Sequence, residues 1–175
     1  MGKNLVLIGF MGTGKSSVGL RLAQKLKKKF VDMDREIELV NGMSIADIFK
    51  RYGEVRFRSE ESLMAIKVGK RQDIVIATGG GTVLKDENID SLKENGILIC
   101  LDASPEDIFS RVNRKKGTRP LLNKNVSIED IERLLQEREA FYACADIRVN
   151  TSDRDLESII NEIMQSIKDK KLMLS

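Results

Sequence analysis

The fold is decided by the stretch Leu5-Val-Leu-Ile-Gly9-Phe-Met-Gly12-Thr-Gly14-Lys15-Ser16-Ser17. An apolar run is broken by glycines and followed by residues 18–26, whose apolar positions recur at helical spacing. The order strand, loop and helix is the one that the pattern G-x-x-x-x-G-K-[ST] requires, and the stretch from Gly9 to Ser16 matches it. The sequence therefore predicts a phosphate-binding loop between the first strand and the first helix.

The residue types of this loop suit a nucleotide and its metal ion. Glycines allow the tight turn in which successive backbone N–H groups face phosphate oxygens, and the following helix adds its positive N-terminal end. We expect Lys15 to reach the β- and γ-phosphates and the Ser16 hydroxyl to complete the ligand shell of Mg²⁺. The alternative is a glycine-rich turn with a solvated lysine, but the motif and its flanks together favour a nucleotide-binding protein.

Composition limits the remaining possibilities. The 175 residues fit one domain, and 41% hydrophobic with 33% charged residues is ordinary for a folded globular protein. The net charge of +3 is too small to indicate nucleic acid as the main partner. The chain contains no histidine, which excludes serine–histidine catalysis and histidine metal sites.

The cysteines and the N-terminus indicate the compartment. Cys100 and Cys144 lie far apart in apolar sequence, which favours core thiols over a disulfide or a nucleophile. The N-terminal apolar run is interrupted at Gly9, and no segment approaches the length that spans a membrane. We therefore expect a cytoplasmic protein with no membrane partner.

Apolar runs that alternate with helical patterns indicate a parallel sheet covered by helices. Five runs are predicted strands, and most of them lack polar alternation, as strands buried on both faces do: residues 4–8, 30–32, 73–78, 97–102 and 147–150. Helix starts are marked by Ser44, by Ser104 before Pro105, and by Ser127. We expect the helix that opens at Ser44 to end near Gly53. The last helix carries one apolar stripe between residues 156 and 167.

Two segments do not behave like core elements. Residues 33–70 insert charged helical sequence between the second and third strands. Residues 113–125 are basic and lack apolar periodicity. Beside the carboxyl ends of parallel strands, such insertions predict an acceptor-binding region and a mobile lid, respectively.

Two further patterns follow strands and suit phosphoryl transfer. Asp32 and Asp34 come at a strand end, where one carboxylate can support the metal ion while the other accepts a hydrogen bond from an incoming hydroxyl. The alternative is that Asp34 merely starts a helix. Gly79, Gly80 and Gly81 cost conformational entropy unless the backbone must approach something closely, so they are expected to line the acceptor site.

Six motifs occur in the order and spacing of one kinase family. They are residues 9–17, Asp32-Met-Asp34, Phe57-Arg58-Ser-Glu-Glu61, Gly79-Gly80-Gly81, Arg119-Pro-Leu-Leu122 and Arg138-Glu-Ala-Phe-Tyr142. Through nearly its whole length the chain resembles the shikimate kinases. The resemblance implies a single kinase domain over residues 1–175 with the three-layer α/β/α fold of P-loop kinases and about five strands in a short central parallel sheet. It also implies an ATP-dependent phosphotransferase that passes the γ-phosphoryl group of ATP to the 3-hydroxyl of shikimate, in aromatic amino acid biosynthesis.

The resemblance assigns a role to each motif. The donor side consists of Gly12, Thr13, Gly14, Lys15, Ser16 and Ser17 around the ATP phosphates, with Ser16 on Mg²⁺ and Asp32 supporting the ion through water. The lid residue Arg119 would close over the phosphates and stabilise charge during transfer. A second arginine near adenine corresponds to either Arg111 or Arg114.

On the acceptor side, the resemblance makes Asp34 the base or orienter of the attacking hydroxyl. Arg58 and Arg138 would bind the substrate carboxylate, for which a planar guanidinium is better suited than an ammonium group. Gly79, Gly80 and Gly81 would line the substrate site. For each of these two arginines the alternative is a surface ion pair with a neighbouring glutamate.

Rival functions differ in class. A switch GTPase is unlikely because D-x-x-G is absent from the sequence and Asn123-Lys-Asn-Val126 lacks the closing Asp of N-K-x-D. Another small-metabolite kinase, of the gluconate kinase type, and a non-catalytic nucleotide-binding regulatory relative remain as alternatives. ATP and shikimate are the expected partners, and a monomer is the expected state.

Overall fold

A computed structural model of the chain describes residues 2–114 and 126–172. Its centre is a parallel sheet in the order β2-β3-β1-β4-β5. The strands are β1 (Asn4–Ile8), β2 (Lys29–Asp32), β3 (Ile74–Ala77), β4 (Gly96–Asp102) and β5 (Ile147–Asn150). The five predicted strands are confirmed, with ends that differ by one residue at most.

Helices cover both faces of the sheet. They are α1 (Lys15–Leu26), α2 (Met33–Asn41), α3 (Ile45–Gly69), α4 (Asp86–Lys93), α5 (Pro105–Arg114), α6 (Ile128–Tyr142) and α7 (Leu156–Asp169). The side chains of β1 alternate between two cores: Leu5 and Leu7 pack with α1 and α7, whereas Val6 and Ile8 pack with α3 and α4. This is the predicted three-layer α/β/α arrangement.

The helix starts lie where the capping residues place them. Ser44 accepts a hydrogen bond from the backbone of Asp47, and Ser127 forms a reciprocal capping box with Asp130. Gly53 does interrupt the helix, with φ 81° and ψ 176°, but helical structure resumes beyond it and α3 continues to Gly69. The prediction of an end near Gly53 was therefore wrong about the extent of the helix and right about the break.

The sheet order brings the functional segments to one edge. Helices α2 and α3 occupy the predicted insertion between β2 and β3. The phosphate loop follows β1, Asp32 ends β2, and the three glycines follow β3, so all three lie at the carboxyl ends of neighbouring strands. Of the predicted lid, only the first two residues lie within the described part of the chain, at the end of α5.

Two smaller predictions concern the core and the membrane. Cys100 is fully buried on β4 and Cys144 is partly buried, and both are free thiols. Burial raises the pKa of the Cys100 thiol above its usual range. Within residues 2–114 and 126–172, no helix combines the length and apolar character needed to span a membrane.

Candidate active site

The phosphate loop begins where β1 ends and is shaped by glycine. At Gly9, φ is +142°, and a Cβ there would lie 2.4 Å from the backbone oxygen of Leu101, so no larger residue fits at this bend. Lys15 opens α1 and is buried. Its Nζ donates to the backbone oxygens of Gly9, at 2.7 Å, and Phe10, at 2.9 Å. The loop thus holds its lysine inside the curve in which phosphates are expected.

Ser16 and Asp32 meet across the loop. The Ser16 hydroxyl donates to Asp32 Oδ2 at 2.6 Å, while Asp32 Oδ1 accepts from the backbone N–H groups of Asp34, at 3.1 Å, and Arg35, at 3.3 Å. Asp32 is therefore the N-cap of α2. The alternative that Asp34 starts this helix is excluded, because Asp34 lies within its first turn.

Asp34 is the most perturbed carboxylate in the cleft. Its Oδ1 atom is enclosed and accepts no hydrogen bond within the described part of the chain. Burial raises the pKa of Asp34 from 3.8 to about 6, with further contributions from the negative charges of Asp32 and Glu61, and Lys15 opposes the shift. A partly buried carboxylate with a pKa close to neutrality and an enclosed, unused acceptor atom is suited to receive a hydrogen bond, or a proton, from a bound hydroxyl.

Arg58 reaches the same cleft from α3. Its side chain is only 14% exposed and donates to Glu61 Oε2 at 2.7 Å. Glu61 is 1% exposed and accepts a second hydrogen bond, from Thr82 Oγ1, at 2.7 Å. Arg58 therefore forms a buried ion pair with Glu61 and also a longer one, at 3.3 Å, with exposed Glu54, so a surface ion pair of the kind that the alternative held is present as well.

Glu61 is a buried residue of the site to which sequence reasoning assigned no role. In the sequence it ends the motif Phe57-Arg58-Ser-Glu-Glu61, and its spacing of three residues from Arg58 places both side chains on one face of a helix. Neighbouring Glu60 carries the same charge and is partly buried, but it pairs with exposed Arg56. The helical register of α3 decides which of the two glutamates supports the site.

Gly79 and Gly81 are needed because side chains occupy the space where their Cβ atoms would lie, whereas at Gly80 a Cβ would lie 3.2 Å from the backbone nitrogen of Met11. At Gly79 a Cβ would lie 2.7 Å from Glu61 Oε1 and 2.9 Å from Asp34 Oδ1. At Gly81 it would lie 2.3 Å from Arg58 Nη1, although the backbone there, with φ −104°, would accept any residue. The predicted close approach is therefore to Asp34, Glu61 and Arg58.

The remaining arginines lie farther out. Arg138, on α6, does not line the main cleft but lies at the edge of that cleft. Its Nη1 donates to the backbone oxygen of Gly80 at 3.3 Å. Arg111 donates to the oxygens of Gly12, at 3.2 Å, and Thr151, at 3.1 Å. Arg114 also lines the main cleft. Arg119, predicted to be the lid residue, lies outside the described residues.

These elements enclose two neighbouring clefts. The main one has a volume of about 370 Å³, and Lys15, Asp34, Arg58 and the three glycines are among the residues that line it. A smaller one of about 220 Å³ lies on the other side of the loop, between Thr13, Ser17, Thr151 and the start of α7. Arg111 lines both, and together they offer space for a donor and an acceptor on either side of the phosphate loop.

The metal ion predicted from the sequence has suitable donors. No group of three or more carboxylate or thiol side chains that could hold an ion by itself occurs among residues 2–114 and 126–172. The Ser16 hydroxyl and the Asp32 carboxylate nevertheless place two hard oxygen donors together at the mouth of the loop. Mg²⁺ typically takes one or two protein oxygens and completes its shell with phosphates and water, so these residues fit the ion.

Comparison with known proteins identifies the family. The family model described as shikimate kinase matches residues 11–168. The shikimate kinase of Pelotomaculum thermopropionicum is 50% identical over 95% of this chain and 96% of its own, and that of Desulforudis audaxviator is 48% identical over 96% and 88%.

Solved structures agree with this assignment. The shikimate kinase of Acinetobacter baumannii, solved in complex with shikimate, superposes with a TM-score of 0.91 and 35% identity over 97% of this chain and 95% of its own. A gluconokinase from Sinorhizobium meliloti superposes with a TM-score of 0.59 at 18% identity, over 95% of this chain and 92% of its own, which shows a shared fold alone. The chain belongs to the shikimate kinase family.

Proposed function

We propose that the chain transfers the γ-phosphoryl group of ATP to the 3-hydroxyl of shikimate, giving shikimate 3-phosphate and ADP. The observation that carries this proposal is the enclosed, unpartnered Oδ1 of Asp34, which shares a cleft with Lys15 of the phosphate loop and with Arg58. These are a hydroxyl acceptor, a phosphate ligand and a carboxylate ligand in one space. The Acinetobacter baumannii relative supports the choice of acceptor, since it was solved with shikimate bound.

The donor half consists of the loop and the start of α1. The backbone of Gly12, Thr13 and Gly14 and the side chains of Lys15, Ser16 and Ser17 would bind the ATP phosphates, with Lys15 leaving its present backbone acceptors for phosphate oxygens. Ser16 and Asp32 would hold Mg²⁺, directly and through water, respectively. When bound, the ion neutralises phosphate charge and lowers the repulsion that an attacking oxygen meets.

The acceptor half is the insertion at residues 33–70 together with the three glycines. Arg58 would bind the shikimate carboxylate: buried Glu61 holds its Nη1 at 2.7 Å, and the substrate would replace exposed Glu54, which accepts from Nε and Nη2 at 3.3 Å. Arg138 would bind the same carboxylate from the edge, beside Gly80. Gly79 and Gly81 leave room for the Asp34, Glu61 and Arg58 side chains in these positions.

Asp34 would orient and deprotonate the attacking hydroxyl. With a pKa of about 6 it is ionised at neutral pH, and its Oδ1 is available to accept the hydroxyl proton. Phosphoryl transfer requires alignment of the hydroxyl with phosphorus more than it requires covalent chemistry, so a fixed acceptor atom contributes mainly through positioning.

The nucleobase would lie beside Arg111 rather than Arg114. Arg111 lines the smaller cleft as well as the main one and is held by Gly12 and by Thr151. We assign Arg119 and the segment 113–125 to a lid that closes over the phosphates when both substrates are bound. The proposed state of the chain is a monomer.

A coupled assay of ADP release tests the proposal against its rivals. Purified protein with ATP and Mg²⁺ is given shikimate, gluconate, AMP or CMP in parallel, with the Lys15→Ala variant as the control for contaminating kinases. We expect turnover with shikimate to exceed that with every other acceptor by at least about 100-fold, because a site built for a specific polar group rejects analogues by that margin or more. Faster turnover with gluconate would establish the other small-metabolite kinase, and no turnover with any acceptor would favour a non-catalytic relative.

A further inference from the structure

Phe10 is a buried side chain that the proposed mechanism does not yet use. It belongs to the phosphate loop, is 1% exposed and does not line the main cleft. Its ring packs with Ile108 and Val112 of α5 and Ile131 of α6. The loop is thereby anchored to the helix that carries Arg138.

The Phe10 ring also contacts a charge. The guanidinium carbon of Arg138 lies 5.1 Å from the ring centroid, within the distance at which an aromatic face attracts a cation. The same guanidinium donates to the Gly80 oxygen at 3.3 Å. A long arginine side chain at the edge of a cleft is thus held in place from two sides, by the ring and by the backbone that follows β3.

The backbone of Phe10 points to the donor half. Its carbonyl oxygen accepts hydrogen bonds from Lys15 Nζ, at 2.9 Å, and from Thr13 Oγ1, at 2.8 Å. One residue therefore contacts the phosphate-binding lysine through its main chain and the carboxylate-binding arginine through its side chain.

We propose that Phe10 is a positioning residue for the acceptor: its ring fixes the Arg138 guanidinium beside Gly80 and so sets the affinity for the carboxylate of the acceptor. The inference rests on the proposed function, which gives Arg138 its role. Without an aromatic ring, Arg138 regains rotamer freedom and loses the attraction of the ring face, whereas the loop backbone that binds phosphate is unchanged. The consequence is specific to the acceptor.

The test replaces the ring with an aliphatic side chain. Phe10→Leu, and Phe10→Met as a second variant of closer volume, are compared with the wild type in steady-state kinetics. We expect the KM for shikimate to rise roughly 3- to 20-fold, the range that a partly buried cation–ring contact covers. The KM for ATP and kcat should change by less than about 2-fold, since the interaction equally supports the bound and the transition state.

Ile131→Val is the matched control, because Ile131 packs in the same cluster and carries no functional contact. It should lower the melting temperature, as the Phe10 variants do, and leave the KM for shikimate unchanged. If Ile131→Val raises this KM as much as Phe10→Leu does, the effect is a general loss of packing and the proposal is wrong.

A double-mutant cycle isolates the contact. In an Arg138→Ala background, Phe10→Leu should no longer change the KM for shikimate, because the group that the ring positions is gone. Effects that multiply independently, or an equal rise in the KM for ATP, would overturn the proposal. Failure of the wild type to phosphorylate shikimate would instead refute the proposed function, so the two failures are distinguishable.

Discussion

Replacing Asp34 with asparagine should make the protein more stable and nearly inactive. The folded state raises the pKa of this carboxyl from 3.8 to about 6 through burial and through the charges of Asp32 and Glu61. Between these two values the folded protein binds more protons at this site than the unfolded chain does, so this group lowers stability as the pH rises. Above pH 6 the folded state carries the full free-energy cost of ionising Asp34, and a pKa shift of about two units corresponds to about 3 kcal/mol.

Asparagine is neutral and similar in shape, so it removes this cost. At pH 7.5 we expect Asp34→Asn to raise the free energy of unfolding by up to about 3 kcal/mol, which for a chain of this length corresponds to roughly 5–10 °C in Tm. At pH 4.5 the wild-type carboxyl is protonated in the folded state, and the gain should shrink to about 1 kcal/mol. Turnover should fall at least about 100-fold, because the amide cannot accept the hydroxyl proton.

Urea unfolding at both pH values, with kcat measured on the same preparations, checks this prediction. Asp155→Asn is the matched control: hydrogen bonds from the Ser158 backbone hold the pKa of Asp155 below its usual range, so neutralising it should bring no gain at pH 7.5. The reasoning is refuted if Asp34→Asn is no more stable than the wild type at pH 7.5, or if its gain is the same at pH 4.5. The wild-type kcat/KM should itself fall as the pH drops through about 6.

Three further substitutions test separate parts of the site. Lys15→Ala should reduce kcat at least about 100-fold with the fold intact, because it removes a preorganised positive charge from the phosphates; full activity in the ADP assay would contradict the proposed donor site. Gly81→Ala should displace Arg58 and so remove its charged hydrogen bond to the acceptor, which should raise the KM for shikimate about 10-fold or more. A circular dichroism melt would show whether the fold is kept. An unchanged KM would mean that Arg58 does not bind the acceptor. Arg138→Lys should raise the KM for shikimate about 10-fold with little change in the KM for ATP, since an ammonium group cannot bind a carboxylate through two parallel hydrogen bonds. If the variant and the wild type have the same KM for shikimate, Arg138 lies outside the site.

The fold was predictable wherever the signal was local. The loop from Gly9 to Ser16, the caps at Ser44 and Ser127 and the five apolar runs each depend on a few neighbouring residues, and the structure places all of them as expected. The order of strands in the sheet depends on contacts between distant segments and has no such local signal. The continuation of α3 beyond Gly53 was missed because a glycine with positive φ breaks a helix without preventing a second one from starting.

The site was predictable in its residue types and less so in its geometry. Asp34 and Arg58 could be identified from their motifs, but the sequence does not show that Glu61 is buried against Thr82 whereas Glu60, with a side chain 13% exposed, pairs with Arg56. The position of Arg138 over the Phe10 ring likewise depends on how α6 packs against the loop. The local sequence identifies the candidate side chains of the site, and tertiary packing determines which of these side chains lie close enough to act together.

The most direct test of the proposed function is identification of the product. The protein is incubated with Mg²⁺, ATP and shikimate, and the phosphorylated species is analysed by mass spectrometry and by phosphorus–proton correlation NMR. The proposed function predicts one phosphoryl group on the 3-hydroxyl of shikimate for each ADP formed. ADP without phosphorylated shikimate, or a phosphoryl group on a different hydroxyl, would contradict it.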